Sequence, residues 1–201
     1  MILKNKNITL LLGICMFMGN VRAAECVQTF KGPEYAASSV VFNANSTILA
    51  FGSLYGDITL WDIENRICLK TWVGHADTVL SLAFNFDGTT LASGSSHGTS
   101  KLWNVQSGEC RWILEGHTEP ICSVVFNPNG TILASGSRDK TIILWDAQTG
   151  THRCKLEGHN SDVRSVAFSS DGNVLISVSN DRSIKLWDLS LFVMPRFKFV
   201  D

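Results

Sequence analysis

The chain lacks several things that would assign it a function directly. It has no uninterrupted apolar run of the roughly 20 residues that a membrane-spanning helix needs. It has no run of Lys or Arg, and its 17 basic and 18 acidic side chains leave a net charge of −1. That balance argues against nucleic acid as the primary partner, because phosphate binding calls for a basic face. There is no Cys-x-x-Cys pair among the six cysteines, so a structural zinc site is not expected. No nucleophile elbow, phosphate loop or metal-binding helix motif occurs, and the glycines do not form GxGxxG. We therefore expect no catalytic group, no cofactor and no metal. What is there, 201 residues with 45% hydrophobic content, suits one globular domain.

The N-terminus stands apart. Lys4 and Lys6 precede a mostly apolar run over residues 8–18, then Val-Arg-Ala-Ala-Glu, in which Val21 and Ala23 fit the positions before a signal-peptidase cut. Segment 1–23 resembles a secretory signal peptide and is set aside from the fold. The alternative is a buried N-terminal segment. Asn45-Ser46-Thr47 and Asn129-Gly130-Thr131 are glycan acceptor sequences, and a glycan on either would place the chain in the secretory path.

The rest of the chain repeats. Trp61-Asp62, Trp103-Asn104, Trp145-Asp146 and Trp187-Asp188 are each 42 residues apart. Gly74-His75, Gly116-His117 and Gly158-His159 keep the same period. A fixed period of this length means one supersecondary unit, stacked so that each copy covers its neighbour's apolar face. Cys26, Cys68 and Cys110 share the period, so they occupy one position in successive units. Adjacent units set them too far apart for a disulfide, and they read as small, half-buried strand residues.

Residues 108–150 show how a unit is built. Strand-like runs at 110–114, 121–126, 131–136 and 141–145 alternate with Glu-Gly-His-Thr, Asn-Pro-Asn-Gly and Arg-Asp-Lys. Asn-Gly accepts the positive φ that tight hairpins require. Four short strands with apolar residues on both faces form a meander that is not stable alone.

With both its Gly-His and Trp-Asp ends, the pattern resembles the WD40 repeat family over about residues 26–188. The resemblance implies an all-β, WD40-type β-propeller or partial propeller of about four four-stranded antiparallel blades. The repeat domain spans 24–190, in units of about 24–65, 66–107, 108–149 and 150–190. Residues 191–201 form a C-terminal tail or an outer strand. Closure calls for an outer strand on the fourth blade, for which residues 26–31 and 197–200 compete. If the ring stays open, the exposed blade edges invite self-association.

The resemblance also implies roles for residues. In each unit the Gly-His histidine, a strand Ser, a turn Asp and the Trp would form a buried hydrogen-bonded chain: His117, Ser135, Asp139 and Trp145 in the third, and His159, Ser177, Asp181 and Trp187 in the fourth. The chemistry fits, since indole only donates, a hydroxyl does both, and neutral imidazole links a hydroxyl to a carboxylate. The second unit keeps His75, Ser93 and Trp103 but has His97 where Asp is expected. The first has Pro33, Phe51 and Tyr55 in place of His, Ser and Asp, and keeps only Trp61. Partner contacts in the family fall on one rim. Carried over by position, they are Thr78, Leu80 and Ser96; Pro120, Cys122 and Arg138; and Asp162, Arg164 and Asn180.

The leading reading is a non-catalytic scaffold that binds other proteins or peptides and assembles a complex. Two others stay open: a secreted or periplasmic propeller with a ligand or reaction in its central channel, and a fragment of a longer WD40 protein. The signal-like N-terminus favours the secretory pathway; the family resemblance favours cytoplasm or nucleus.

Overall fold

The computed structural model describes residues 36–190, all within the compact unit Gly32–Asp201. The signal-like segment 1–23, Pro33, the two competing strands 26–31 and 197–200, and the tail 191–201 lie outside the described residues.

Among the described residues fifteen strands form four antiparallel meanders. The first sheet holds β1 (Ala37–Phe42), β2 (Ile48–Ser53), β3 (Asp57–Asp62) and β4 (Ile67–Val73). The second holds β5 (Val79–Phe84), β6 (Thr90–Ser95), β7 (Ser100–Asn104) and β8 (Cys110–Leu114). The third holds β9 (Ile121–Phe126), β10 (Ile132–Ser137), β11 (Ile142–Asp146) and β12 (His152–Leu156). Among the described residues the fourth has three strands, β13 (Val163–Phe168), β14 (Val174–Ser179) and β15 (Ile184–Asp188).

One expectation changes. The strand at 110–114 heads the sequence unit 108–149, but it pairs with β7 and so completes the preceding sheet. Sequence unit and sheet are offset by one strand. The physical reason lies in the connections. Asn104 N–H donates to Glu109 O at 2.9 Å across a short turn, so β7 and β8 form a hairpin. The Gly-His segment that follows is the longer crossing to the next sheet.

Both faces of an inner sheet are covered, which explains strands such as Ile142–Leu144 that are apolar without alternation. Ala50, Ile58 and Leu60 of the first sheet pack with Val79, Leu82, Leu91 and Trp103 of the second. Ala92, Leu102 and Leu114 pack with Ile121, Val124, Leu133 and Trp145. Ile132, Ala134, Ile142 and Leu144 pack with Val163, Val166 and Leu175. The fourth sheet is covered on one side only and does alternate: Leu175, Ser177 and Ser179 are buried while Ile176 and Val178 are exposed.

Turn chemistry is periodic as well. Ser46, Gly88, Gly130 and Gly172 hold φ of 57°, 72°, 71° and 75° at one repeat position, which Gly takes at no steric cost.

Candidate functional site

The third sheet shows the buried chain complete. Trp145 sits at a register shift near the end of β11, and its side chain packs with Ala92, Leu102 and Leu114 of the second sheet. Its Nε1–H donates to Ser135 Oγ at 2.9 Å. Ser135 Oγ lies 2.8 Å from His117 Nε2, and His117 Nδ1 lies 2.7 Å from Asp139 Oδ2. The indole donates to the serine, a hydrogen bond joins the serine hydroxyl to Nε2, and Nδ1 bonds the carboxylate. The fourth sheet repeats it, with Trp187 to Ser177 at 2.9 Å, Ser177 to His159 at 2.7 Å and His159 to Asp181 at 2.8 Å.

The turn makes the carboxylate ready. Thr141 N–H and Oγ1–H both donate to Asp139 Oδ1, at 2.9 and 2.6 Å, and Thr118 N–H donates to Oδ2 at 3.2 Å. Burial would raise the Asp139 carboxyl. The bonds from His117 and Thr141 outweigh it and hold the group well below the usual carboxylate range. Asp181 is held low by Ser183 and by the Asn160 backbone N–H.

The second sheet keeps the buried end and rewires the other. His75 Nε2 lies 2.6 Å from Ser93 Oγ, and Trp103 donates to Ser93 at 2.8 Å. His97 does not simply leave a carboxylate missing. Its Nδ1 pairs with Asp77, whose Oδ2 also accepts from Ser96 Oγ at 2.7 Å. The position of Asp77, two residues after the Gly-His pair, carries no signal in the repeat. Burial, aided by the Lys101 charge, pushes the His75 pKa down to about 4. In the first sheet Phe51, at the serine position, is buried, and Tyr55, at the carboxylate position, is exposed.

Sequence reasoning missed the role of the Asp in Trp-Asp. Asp146 Oδ1 accepts the N–H groups of Gln148 and Thr149, both at 2.9 Å. Asp62, Asn104 and Asp188 make the same kind of turn with Asn65, Ser107 and Ser190. The residue type at these positions, Asp or Asn, was the available signal.

The rim residues fall in matching pairs. Ser96 N–H donates to Thr78 O at 3.0 Å, Arg138 N–H to Pro120 O at 2.9 Å and Asn180 N–H to Asp162 O at 3.0 Å. Neighbouring sheets are also linked there. Thr78 Oγ1–H donates to Leu54 O at 2.8 Å, and Arg164 Nη1 approaches Cys122 Sγ at 3.9 Å. Arg138 and Arg164, both exposed, therefore attach to one short segment, Pro120 to Cys122. Leu80 is half-buried in β5.

Cys68 and Cys110, expected half-buried, are exposed, because both lie on outer strands. Cys122 and Cys154 are half-buried free thiols. Among the described residues no three His, Cys, Asp or Glu side chains gather as a metal site, and no helix is long and apolar enough to cross a membrane.

The family model described as "WD domain, G-beta repeat" matches residues 24–62, 66–104, 108–146 and 150–188. The chain belongs to the WD40 family. Its fold is also similar to the solved structure of U3-55K, with a TM-score of 0.76 at 20% identity. That match covers 82% of this chain and 52% of the other, so the chain spans about half the length of that WD40-type propeller. At that identity the likeness is one of fold alone. No curated protein matches the sequence. WD40 repeats support protein interaction in general, and members of the family generally act as non-catalytic scaffolds.

Proposed function

We propose that this WD40 chain is a protein- or peptide-binding scaffold that works through the rim bearing Arg138 and Arg164. The observation that carries the reading is that two exposed arginines attach to the Pro120–Cys122 segment, Arg138 by its backbone N–H and Arg164 by its guanidinium. Arg is favoured at interaction centres because its planar fork pairs bidentately with carboxylates while its stem packs on apolar groups. Half-buried Pro120, Cys122 and Leu80 offer such apolar ground beside polar Thr78, Ser96, Asp162 and Asn180. The histidines are structural in this reading, since in the third and fourth sheets both ring nitrogens are engaged inside the blade.

The test is to identify a partner by affinity capture, then titrate it against wild type and an Arg138→Glu/Arg164→Glu variant of equal folded stability. Reversing two rim charges is expected to weaken binding by about tenfold or more. An unchanged affinity removes this rim from the reading.

A further inference from the structure

The two end faces of the stack are exposed and complementary to each other. On the fourth sheet Ile184 and Leu186 are 62% and 71% exposed, with Ile176 and Val178 beside them. On the first sheet the inner strand is open, with Val40 64% and Phe42 56% exposed, while Leu49 and Phe51 beyond it are buried. Apolar groups this exposed and this contiguous mark an interaction surface.

The three internal junctions show what such a face receives. At each, a glycine of the second strand meets a β-branched residue at the start of the next sheet's inner strand. A methyl on Gly52 would lie 2.5 Å from Val79 Cγ1, one on Gly94 2.6 Å from Ile121 Cγ2, and one on Gly136 2.9 Å from Val163 Cγ1. No side chain larger than hydrogen fits there while the partner is Val or Ile. The repeat register carries these positions to the two ends. Val178 stands where Gly52, Gly94 and Gly136 stand, each opposite the matching serine of its inner strand. Ala37 stands where Val79, Ile121 and Val163 stand. The bulk has changed sides. Val178 with Ala37 supplies the same number of side-chain carbons as Gly94 with Ile121.

A polar pair matches as well. Ser81 Oγ accepts Val124 N–H at 3.0 Å, and Ser123 Oγ accepts Val166 N–H at 3.3 Å, each across a junction. At the first junction a different serine crosses, with Ser38 Oγ–H donating to Val79 O at 2.5 Å. The same register gives Ser165 as acceptor on the fourth sheet and Val40 N–H as donor on the first, both on exposed residues. Among the described residues both faces are open, so nothing in them consumes the match.

We propose that two copies of this chain pair head to tail, the open face of each fourth sheet seated on the inner strand of the other copy's first sheet. Val178 then lies against Ala37, and Ser165 accepts from Val40 N–H. Two such junctions are related by a twofold axis, so the contact closes rather than propagating. Eight sheets result, within the range of about four to eight blades that propellers use.

The test measures the mass of the full chain by light scattering and native mass spectrometry across concentration. A species of twice the 22.1 kDa chain mass is expected. Ala37→Val overfills both junctions and Val178→Gly underfills both, so each variant alone is expected to dissociate about tenfold more readily or worse. Mixed, the two complement each other. One junction of the mixed dimer then has Gly opposite Val, as inside the stack, and the other is wild type. Restored dimer containing one copy of each supports the proposal, and misfolding of either variant does not produce it. A monomer at all concentrations, an open-ended polymer, single variants that dimerise like wild type, or a mixture that stays dissociated each overturns it.

Discussion

The second and third sheets share the buried half of one hydrogen-bonded chain and differ in the half that reaches the surface. In both, a tryptophan indole and a histidine ring nitrogen meet on one serine hydroxyl. In the third, the other ring nitrogen goes to Asp139 in the hairpin turn. In the second, the turn presents His97, and the nearby carboxylate, Asp77, comes from the crossing loop and holds Ser96 and His97 instead. The Asp139 side chain is 8% exposed and the His97 side chain 80%. The difference teaches which link is replaceable. No water reaches the serine to satisfy a stranded indole or imidazole, so that link is kept. In the second sheet solvent borders the other end at His97, where a lost bond is remade with water at small cost.

Removing the shared hub is therefore the most damaging change, and it should hurt both sheets alike. Ser135→Ala strands the Trp145 N–H and the His117 Nε2, and Ser93→Ala strands the same pair of groups around Trp103 and His75. Each unsatisfied buried group costs about 1–3 kcal/mol. Urea denaturation is expected to show the two variants as the largest and most similar losses. A small effect of Ser93→Ala beside a large one for Ser135→Ala breaks the equivalence.

The carboxylate end should separate the sheets. Asp139→Ala leaves His117 Nδ1–H and Thr118 N–H without their acceptor and is expected to cost about 1–3 kcal/mol. Asp77→Ala loses bonds to Ser96 and to a solvated His97, so it should cost under about 1 kcal/mol. Equal losses in the same denaturation experiment mean that Asp77 supports the buried chain through His75 after all.

Acid sharpens the contrast. The His75 pKa is depressed to about 4 in the folded state, from 6.5. The unfolded chain then binds a proton that the folded chain refuses, so stability falls as pH drops through the window from about 6.5 to 4. Allowing for partial solvent access, the loss is about 1–2 kcal/mol. Asp139 has the same sign of linkage but acts in a lower pH window. Its folded pKa is depressed, so its contribution is complete above the unfolded value near 4 and is lost only below it. Midpoints of denaturation measured from pH 7 to 3 are expected to fall first on the His75 limb. His75→Gln flattens that limb and leaves the Asp139 limb in place.

Much of this was legible in the sequence because the repeat is a one-dimensional device. A 42-residue period with fixed Trp, His and Ser positions places each donor and acceptor in register, and the family resemblance said which of those positions bond in the third and fourth chains. What escaped were properties of the junctions. The outer strand Cys110–Leu114 belongs to the sheet before its own sequence unit, because hydrogen bonding follows the hairpin and not the phase of the motif. The Asp77–His97 pair escaped because Asp77 lies off the repeat positions. The exchange of bulk between Val178 and Ala37 was present as letters, but only the close approach at Gly52, Gly94 and Gly136 gives it meaning.

The smallest expected effect concerns restoring the turn carboxylate in the second sheet. By sequence, His97→Asp repairs a missing link and stabilises. The structure alters that expectation. A carboxylate at position 97 would face Asp77, which already lies beside Ser96 and which His97 now engages. Two carboxylates in one place oppose the repair, so His97→Asp alone should change stability by no more than about 0.5 kcal/mol, or lower it. The fourth sheet shows the remedy, since Ser161 stands there at the position of Asp77. Asp77→Ser with His97→Asp is expected to gain up to about 1 kcal/mol, by giving His75 an acceptor without a competitor. A double-mutant cycle by chemical denaturation isolates the coupling between the two sites. Positive coupling means that the second sheet holds the same chain as the third and differs only in which loop supplied its charge. Zero coupling means that Asp77 and position 97 do not compete, and then the rewired end is a separate surface pair with no connection to the histidine beneath it.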